Sequence, residues 1–158
     1  MVAFGLGSNL GDRLGNLREA AARLESVGPV TLRSGVFETE PWGGVEQPFF
    51  LNACVAIEAD IEPVTLLRAV KDIERDMGRV ESVRWGPRKI DIDILLMGDT
   101  VFNSPELNIP HINMHLREFV LTPLRQILPG WRHPVTGQGM AEMEKLLPPS
   151  AIFSVVSL

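Results

Sequence analysis

The chain has one cysteine, Cys54, in 158 residues, so no disulfide can form within it. Cys54 sits in the run Asn52-Ala53-Cys54-Val55-Ala56-Ile57, where it reads as a small buried hydrophobe and not as a catalytic thiol. The three histidines give no Cys/His spacing suited to zinc. No apolar run reaches the roughly 20 residues of a membrane span. The N-terminus has no basic region, apolar stretch and cleavage site in series, so a cytoplasmic protein that engages no membrane is expected. Basic charge is short as well: 15 Lys and Arg against 20 Asp and Glu leave a net charge of −5. That balance argues against bulk binding of nucleic acid or of an anionic membrane. There is no G-x-S-x-G elbow, and Ser8, Ser34, Ser82 and Ser104 have no His–Asp partners nearby in sequence, so acyl transfer has no support. Repeats, low-complexity tracts and long linkers are missing too, and residues 1–158 read as one domain.

At 45% hydrophobic and 22% charged, the chain can bury a proper core. Val2 to Leu6 reads as a strand. Leu14, Leu17, Ala21 and Leu24 then recur at helical spacing up to Gly28-Pro29. Val30 to Glu38 alternates as a strand, and Phe49 to Ala59 makes another. A helix from Pro63 carries Leu66, Leu67, Val70, Ile73 and Met77 inward and stops at Gly78. A strand at 90–97 follows, with a short one near Thr100–Phe102. A helix over Leu116–Leu128 is expected to be interrupted by Pro123, and a last short helix spans Met140–Leu147. The order β-α-β-β-α-β predicts an α+β, ferredoxin-like fold: a mainly antiparallel sheet with helices packed on one face.

The strand at 90–97 carries the main chemical signal. Its alternation turns Ile90, Ile92 and Ile94 one way and Asp91 and Asp93 the other. Two carboxylates some 6 Å apart repel by about 2–3 kcal/mol at an effective dielectric near 20. A strand this apolar is expected at the centre of the sheet, where desolvation adds to that cost. A Mg2+ ion, which takes hard oxygen ligands from one or two carboxylates, would offset it. Nearby arginines would also serve, and Arg79, Arg84, Arg88 and Lys89 crowd the approach to the pair. Such a cluster of cations beside anions suggests a bound polyanion with a metal.

Other features are less specific. Gly5-Leu6-Gly7-Ser8-Asn9-Leu10-Gly11 is neither the dinucleotide fingerprint nor a Walker loop, and a tight turn feeding the first helix is expected there. His111, with His115 and Arg117 nearby, is either structural or part of an anion site. Asn52 interrupts an apolar strand and needs partners if buried; backbone is favoured over a planar heterocycle. Trp42 and Trp85 lie in Gly/Pro-rich loops and either plug the surface or cover a ligand.

The string Arg84-Trp85-Gly86-Pro87-Arg88-Lys89-Ile90-Asp91-Ile92-Asp93-Ile94-Leu95 resembles the signature of the 6-hydroxymethyl-7,8-dihydropterin pyrophosphokinase family. Five outlying segments agree with it: Gly5 to Leu10, Phe37 to Pro41, Gln47 to Asn52, Gly78-Arg79 and Ile109 to His111. The resemblance implies a ferredoxin-like fold and transfer of pyrophosphate from ATP to the pterin hydroxymethyl group, releasing AMP. It implies two Mg2+ ions on Asp91 and Asp93, with Arg79 and Arg88 clamping the triphosphate. Arg84, Ile94, His111 and Arg117 match nucleotide contacts, and Trp85 lies in a loop that closes over the substrates in the family. Phe50 and Phe119 match rings that sandwich the pterin, Asn52 matches the amide that reads its edge, and Thr39, Pro41 and Trp42 would complete that pocket.

Four residues depart from the pattern. Phe50 and Ile112 stand where Tyr is usual, and Glu81 and Glu106 where basic residues are frequent. A monomer with ATP and a pterin as its partners, and no nucleic acid, is the expectation. Rival readings are a kinase moving only the γ-phosphate, a non-catalytic ferredoxin-like ligand module, and an RNA-binding domain. The last lacks aromatic RNP strings.

Overall fold

Periods of two and of 3.6 in the apolar residues set the elements. The computed structural model describes residues 1–41, 44, 46–79, 87–148 and 152–158. Strand β1 (Val2–Ser8) leads into helix α1 (Arg13–Leu24). Asp12 caps that helix, its carboxylate accepting from the Gly15 N–H at 3.0 Å. The alternating stretch from Val30 forms two strands and not one, β2 (Val30–Arg33) and β3 (Gly35–Thr39). The break is Ser34, whose hydroxyl accepts from the Cys54 N–H and donates to the Gly35 carbonyl. Both halves pair with β4 (Phe50–Ile57).

Helix α2 (Pro63–Asp76) starts on Pro63, and Gly78, at φ +84°, supplies the left-handed residue that ends it. Strand β5 (Asp91–Met97) carries the acidic pair, and β6 (Phe102–Asn103) and β7 (Asn108–Ile109) form a small hairpin. A 3-10 turn (Met114–Leu116) precedes α3 (Glu118–Ile127) and α4 (Met140–Lys145). Contrary to expectation, α3 runs through Pro123: burial of Val120, Leu121 and Leu124 holds the helix across the one hydrogen bond that proline removes. Strand β8 (Ile152–Ser157), which sequence reasoning did not anticipate, pairs with β3. Among the described residues no helix is long and apolar enough to cross a membrane.

The main sheet runs β5-β1-β4-β3-β8, with β2 also on β4, and every pairing is antiparallel. The α+β, ferredoxin-like architecture with helices on an antiparallel sheet is therefore present, with two corrections. Helices cover both faces and not one. On the first face, α1 and α2 pack Leu17, Leu24, Leu66 and Val70 against Phe4, Leu6, Val55 and Ile92. On the second, α3 and α4 pack Val120, Leu121, Leu124 and Met143 against Ala3, Cys54, Ala56 and Leu95.

The second correction concerns β5, which lies at the end of the sheet and not at its centre. Its apolar composition reflects burial on both faces. Side chains and loops stand in for a neighbouring strand: the Ile92 N–H donates to the Glu74 carboxylate at 3.0 Å, and the Leu95 carbonyl accepts from the His111 N–H at 2.8 Å.

Candidate active site

On the α3 face, β1 presents Ala3, Gly5 and Gly7 in a row. Register places Gly5 between Asp93 and Cys54, and Gly7 between Asp91 and Asn52. Helix α3 covers Ala3, Cys54 and Ala56. Past its first turn the floor is bare of helix, and a cavity of about 370 Å3 opens there, lined by Gly5, Gly7, Asn52, Asp91 and Asp93. The two glycines are thus floor tiles in a strand: Gly5 lies in the strand expected over Val2 to Leu6, and Gly7, expected in the turn, still belongs to it. A Cβ on Gly7 would stand 3.2 Å from Asn52 Oδ1 and 3.6 Å from the Phe50 ring, so any side chain there fills the cavity. The turn itself lies at Asn9–Asp12, where Gly11 takes φ +68°.

Asp91 and Asp93 share the cavity wall as their alternation requires, keeping 27% and 30% of their side chains exposed. The arginine compensation left open by the sequence is present. Arg79 Nη1 lies 3.2 Å and Arg88 Nη1 3.4 Å from Asp91 Oδ1, and Arg117 Nη1 lies 3.6 Å from Asp93 Oδ2. It is incomplete at Asp93. Burial first, and Asp91 second, push its carboxyl up to about 7 despite Arg117. A carboxylate pair still short of positive charge fits a divalent cation. Among the described residues no set of three His, Cys, Asp or Glu could form an all-protein cage. Two carboxylates completed by oxygens of a ligand are the donor set of Mg2+, and Asp91 and Asp93 could hold it.

The remaining walls carry aromatic and amide groups. Phe50 enters from β4 and Phe119 from the first turn of α3. Asn52, 6% exposed, donates from Nδ2 to Thr39 Oγ1 at 2.6 Å, so its partner is a side chain and not the backbone favoured from sequence. Arg117 is itself buried, which lowers its pKa, and its Cζ stands 5.6 Å from the Phe119 ring centroid. Burial and the neighbouring Arg117 bring His111 down to about 4, leaving it neutral at pH 7. Its Nδ1 accepts from the Asn113 N–H at 3.1 Å, which places the ring proton on Nε2. Asn9 fixes Arg88: its N–H donates to the Arg88 carbonyl at 3.1 Å, and its Oδ1 accepts from the Arg88 N–H at 2.8 Å.

Comparison with known proteins shows the family. The family model described as 7,8-dihydro-6-hydroxymethylpterin-pyrophosphokinase (HPPK) matches residues 3–129. The chain belongs to the HPPK family. It is 38% identical over 143 residues to the 2-amino-4-hydroxy-6-hydroxymethyldihydropteridine pyrophosphokinase of Aquifex aeolicus, covering 90% of this chain and 89% of that protein. With the Bacillus subtilis protein of the same name the identity is 44% over 124 residues, covering 77% and 74%. The folic acid synthesis protein fol1 of Schizosaccharomyces pombe is 40% identical over 148 residues, 92% of this chain but only 20% of that much longer protein. In fold, the chain resembles the crystal structure of Plasmodium falciparum HPPK-DHPS wild type with pteroate, at a TM-score of 0.71 and 18% identity, over 91% of this chain and 41% of that one.

Of the residues singled out by the HPPK resemblance, Thr39, Phe50, Asn52, Arg88, Asp91 and Asp93 line the cavity. Ile94, His111, Arg117 and Phe119 join them. Arg79 reaches the site through Asp91 without lining the cavity, and Pro41 does not line it. Trp42, Arg84 and Trp85 lie outside the described residues, as does Glu81. Two other departures from the family pattern, Glu106 and Ile112, line the cavity. Sequence reasoning missed Asn9, and it missed Glu74, a buried acid on α2 that bonds Arg79 and the strand between the two aspartates. Glu74 stands four residues after Val70 and three before Met77, so an acid on an apolar stripe was the available signal.

Proposed function

We propose that this chain transfers pyrophosphate from ATP to the hydroxymethyl group of 6-hydroxymethyl-7,8-dihydropterin, releasing AMP in folate synthesis. One observation carries the reading: a carboxylate pair ringed by arginines shares a cavity with an amide and two phenylalanines. Phe50 and Phe119 take the faces of the flat pterin, and Asn52, held by Thr39, reads its edge.

Arg88 and Arg79 leave Asp91 for phosphate oxygens, where planar guanidinium forks bind in a bidentate way. Arg84, Trp85, Ile94, His111 and Arg117 make the other nucleotide contacts, His111 as a neutral donor from Nε2. Asp91 and Asp93 would hold two Mg2+ ions together with ATP, and these would supply charge neutralisation on the phosphate oxygens. The pterin oxygen bonds to the β-phosphorus as the bond to the α-phosphate oxygen breaks, and AMP leaves. The hydroxyl proton passes, as the new bond forms, to a transient acceptor such as Asp93, and no obligatory side-chain base is needed. Positioning and fixed charge do most of the work.

Incubation with ATP, Mg2+ and 6-hydroxymethyl-7,8-dihydropterin should release AMP, read by nucleotide chromatography. ADP would favour a γ-phosphate kinase, and no nucleotide product would favour a binding module. Gly7→Ala tests the pterin end separately. Its methyl group crowds Asn52 and Phe50, so the KM for the pterin should rise roughly tenfold, about 1.4 kcal/mol, with the KM for ATP within about twofold. Equal effects on both substrates would move the pterin elsewhere. A cytoplasmic monomer of one domain, residues 1–158, is the accompanying reading. Sedimentation and cell fractionation check it.

A further inference from the structure

Glu74 is 2% exposed on α2. A buried carboxylate persists only with partners, and this one has three. Its Oε1 accepts from Lys71 Nζ at 3.0 Å. Its Oε2 accepts from the Ile92 N–H at 3.0 Å and from Arg79 Nη1 in a short, direct contact. The same Arg79 nitrogen lies 3.2 Å from Asp91 Oδ1. One guanidinium nitrogen is therefore shared, unequally, between a buried acid and a carboxylate of the cavity. Without the charge on Glu74, Arg79 would keep Asp91 as its remaining anionic partner.

We infer that Glu74 is a positioning residue that takes the larger share of Arg79, loosening its hold on Asp91 and so keeping that carboxylate available to a divalent cation. The bond to Ile92 gives it a second grip. Ile92 lies between Asp91 and Asp93 on an edge strand, where Glu74 provides the acceptor that a neighbouring strand would otherwise supply. One side chain thus sets both the height of the acidic strand and the place of the cation that competes for it. The inference rests on the pyrophosphokinase reading only in taking Asp91 as a metal ligand.

Glu74→Gln keeps the shape and an oxygen for the Ile92 N–H while removing the charge. Mn2+ is titrated into the full chain without nucleotide, and the free ion is counted by electron paramagnetic resonance. Asp91→Asn should weaken binding about tenfold or more, which establishes the ligand. Glu74→Gln should weaken it about fivefold or more, and Arg79→Ala should change it by less than about twofold. The double variant E74Q/R79A should return to within about twofold of the wild type, because no arginine remains to settle on Asp91. A purely structural role through Ile92 leaves the double variant as weak as Glu74→Gln.

Wild-type affinity in Glu74→Gln, or a double variant without rescue, overturns the inference while leaving the metal on Asp91. Mn2+ binding that Asp91→Asn does not weaken removes the ligand itself, and the inference with it. If far-UV circular dichroism shows Glu74→Gln unfolded, Arg79→Ala decides alone. Tightening beyond about twofold would mean that Glu74 does not loosen the hold of Arg79 on Asp91, against the inference, and a smaller change supports it.

Discussion

Asp91→Asn and Asp93→Asn should each lower kcat by about a thousandfold or more, some 4 kcal/mol of transition-state stabilisation, with the fold retained. Both substitutions keep the volume of the side chain and remove the charge that a divalent cation needs. The two should differ in stability. Asp93 has its carboxyl pushed up from 3.8 to about 7 by burial and by Asp91. Between those values the native state binds more protons than the unfolded state, so the ligand-free wild type should lose stability as pH rises from about 4 through 7. Asp93→Asn has no such proton to lose. Its Tm should be flatter over that window and overtake the wild type on the alkaline side, although Arg117 then lacks its 3.6 Å partner. Calorimetry from pH 4 to 8 with steady-state kinetics reads both effects. Near-normal turnover in either variant ends the metal assignment, and parallel Tm profiles end the account of Asp93.

Arg88→Ala should cost about a hundredfold in kcat/KM for ATP, close to 3 kcal/mol, and Arg88→Lys should recover only a small part. The reason is geometric. Asn9 grips the Arg88 backbone at both its N–H and its carbonyl, so the guanidinium projects from a fixed point over Asp91 at 3.4 Å. An ammonium group on the same stem cannot offer two parallel donors to a phosphate. Full recovery by lysine would reduce the role of Arg88 to simple charge, and unchanged kinetics in the alanine variant would remove it from the site.

Much of this site could be read from residues in order, and the errors have physical causes. Alternation alone put Asp91 and Asp93 on one face, because side chains on a strand have period two whatever the strand pairs with. Apolar composition placed β5 at the centre of the sheet and failed, because a strand buried on both faces looks equally apolar at an edge. Gly7, two residues after Gly5 in the expected strand, was placed in the turn because glycine commonly marks one. Only their register against Asp93, Asp91, Cys54 and Asn52 shows that they clear a floor. Pro123 was expected to break a helix, and packing against the sheet overrode it. The pairing of Asn52 with Thr39 joins side chains on strands β4 and β3, a relation that no local window contains.

The amino-acid order by itself determined the local periods, the common face of the two aspartates and the family string around them, since each depends on near neighbours. The tertiary structure decided that β5 is an edge, that α3 stops short over Gly5 and Gly7, and that Glu74 and Asp91 share Arg79. Those features join residues distant in the chain, and long-range pairing and burial, which local propensity does not encode, bring them together.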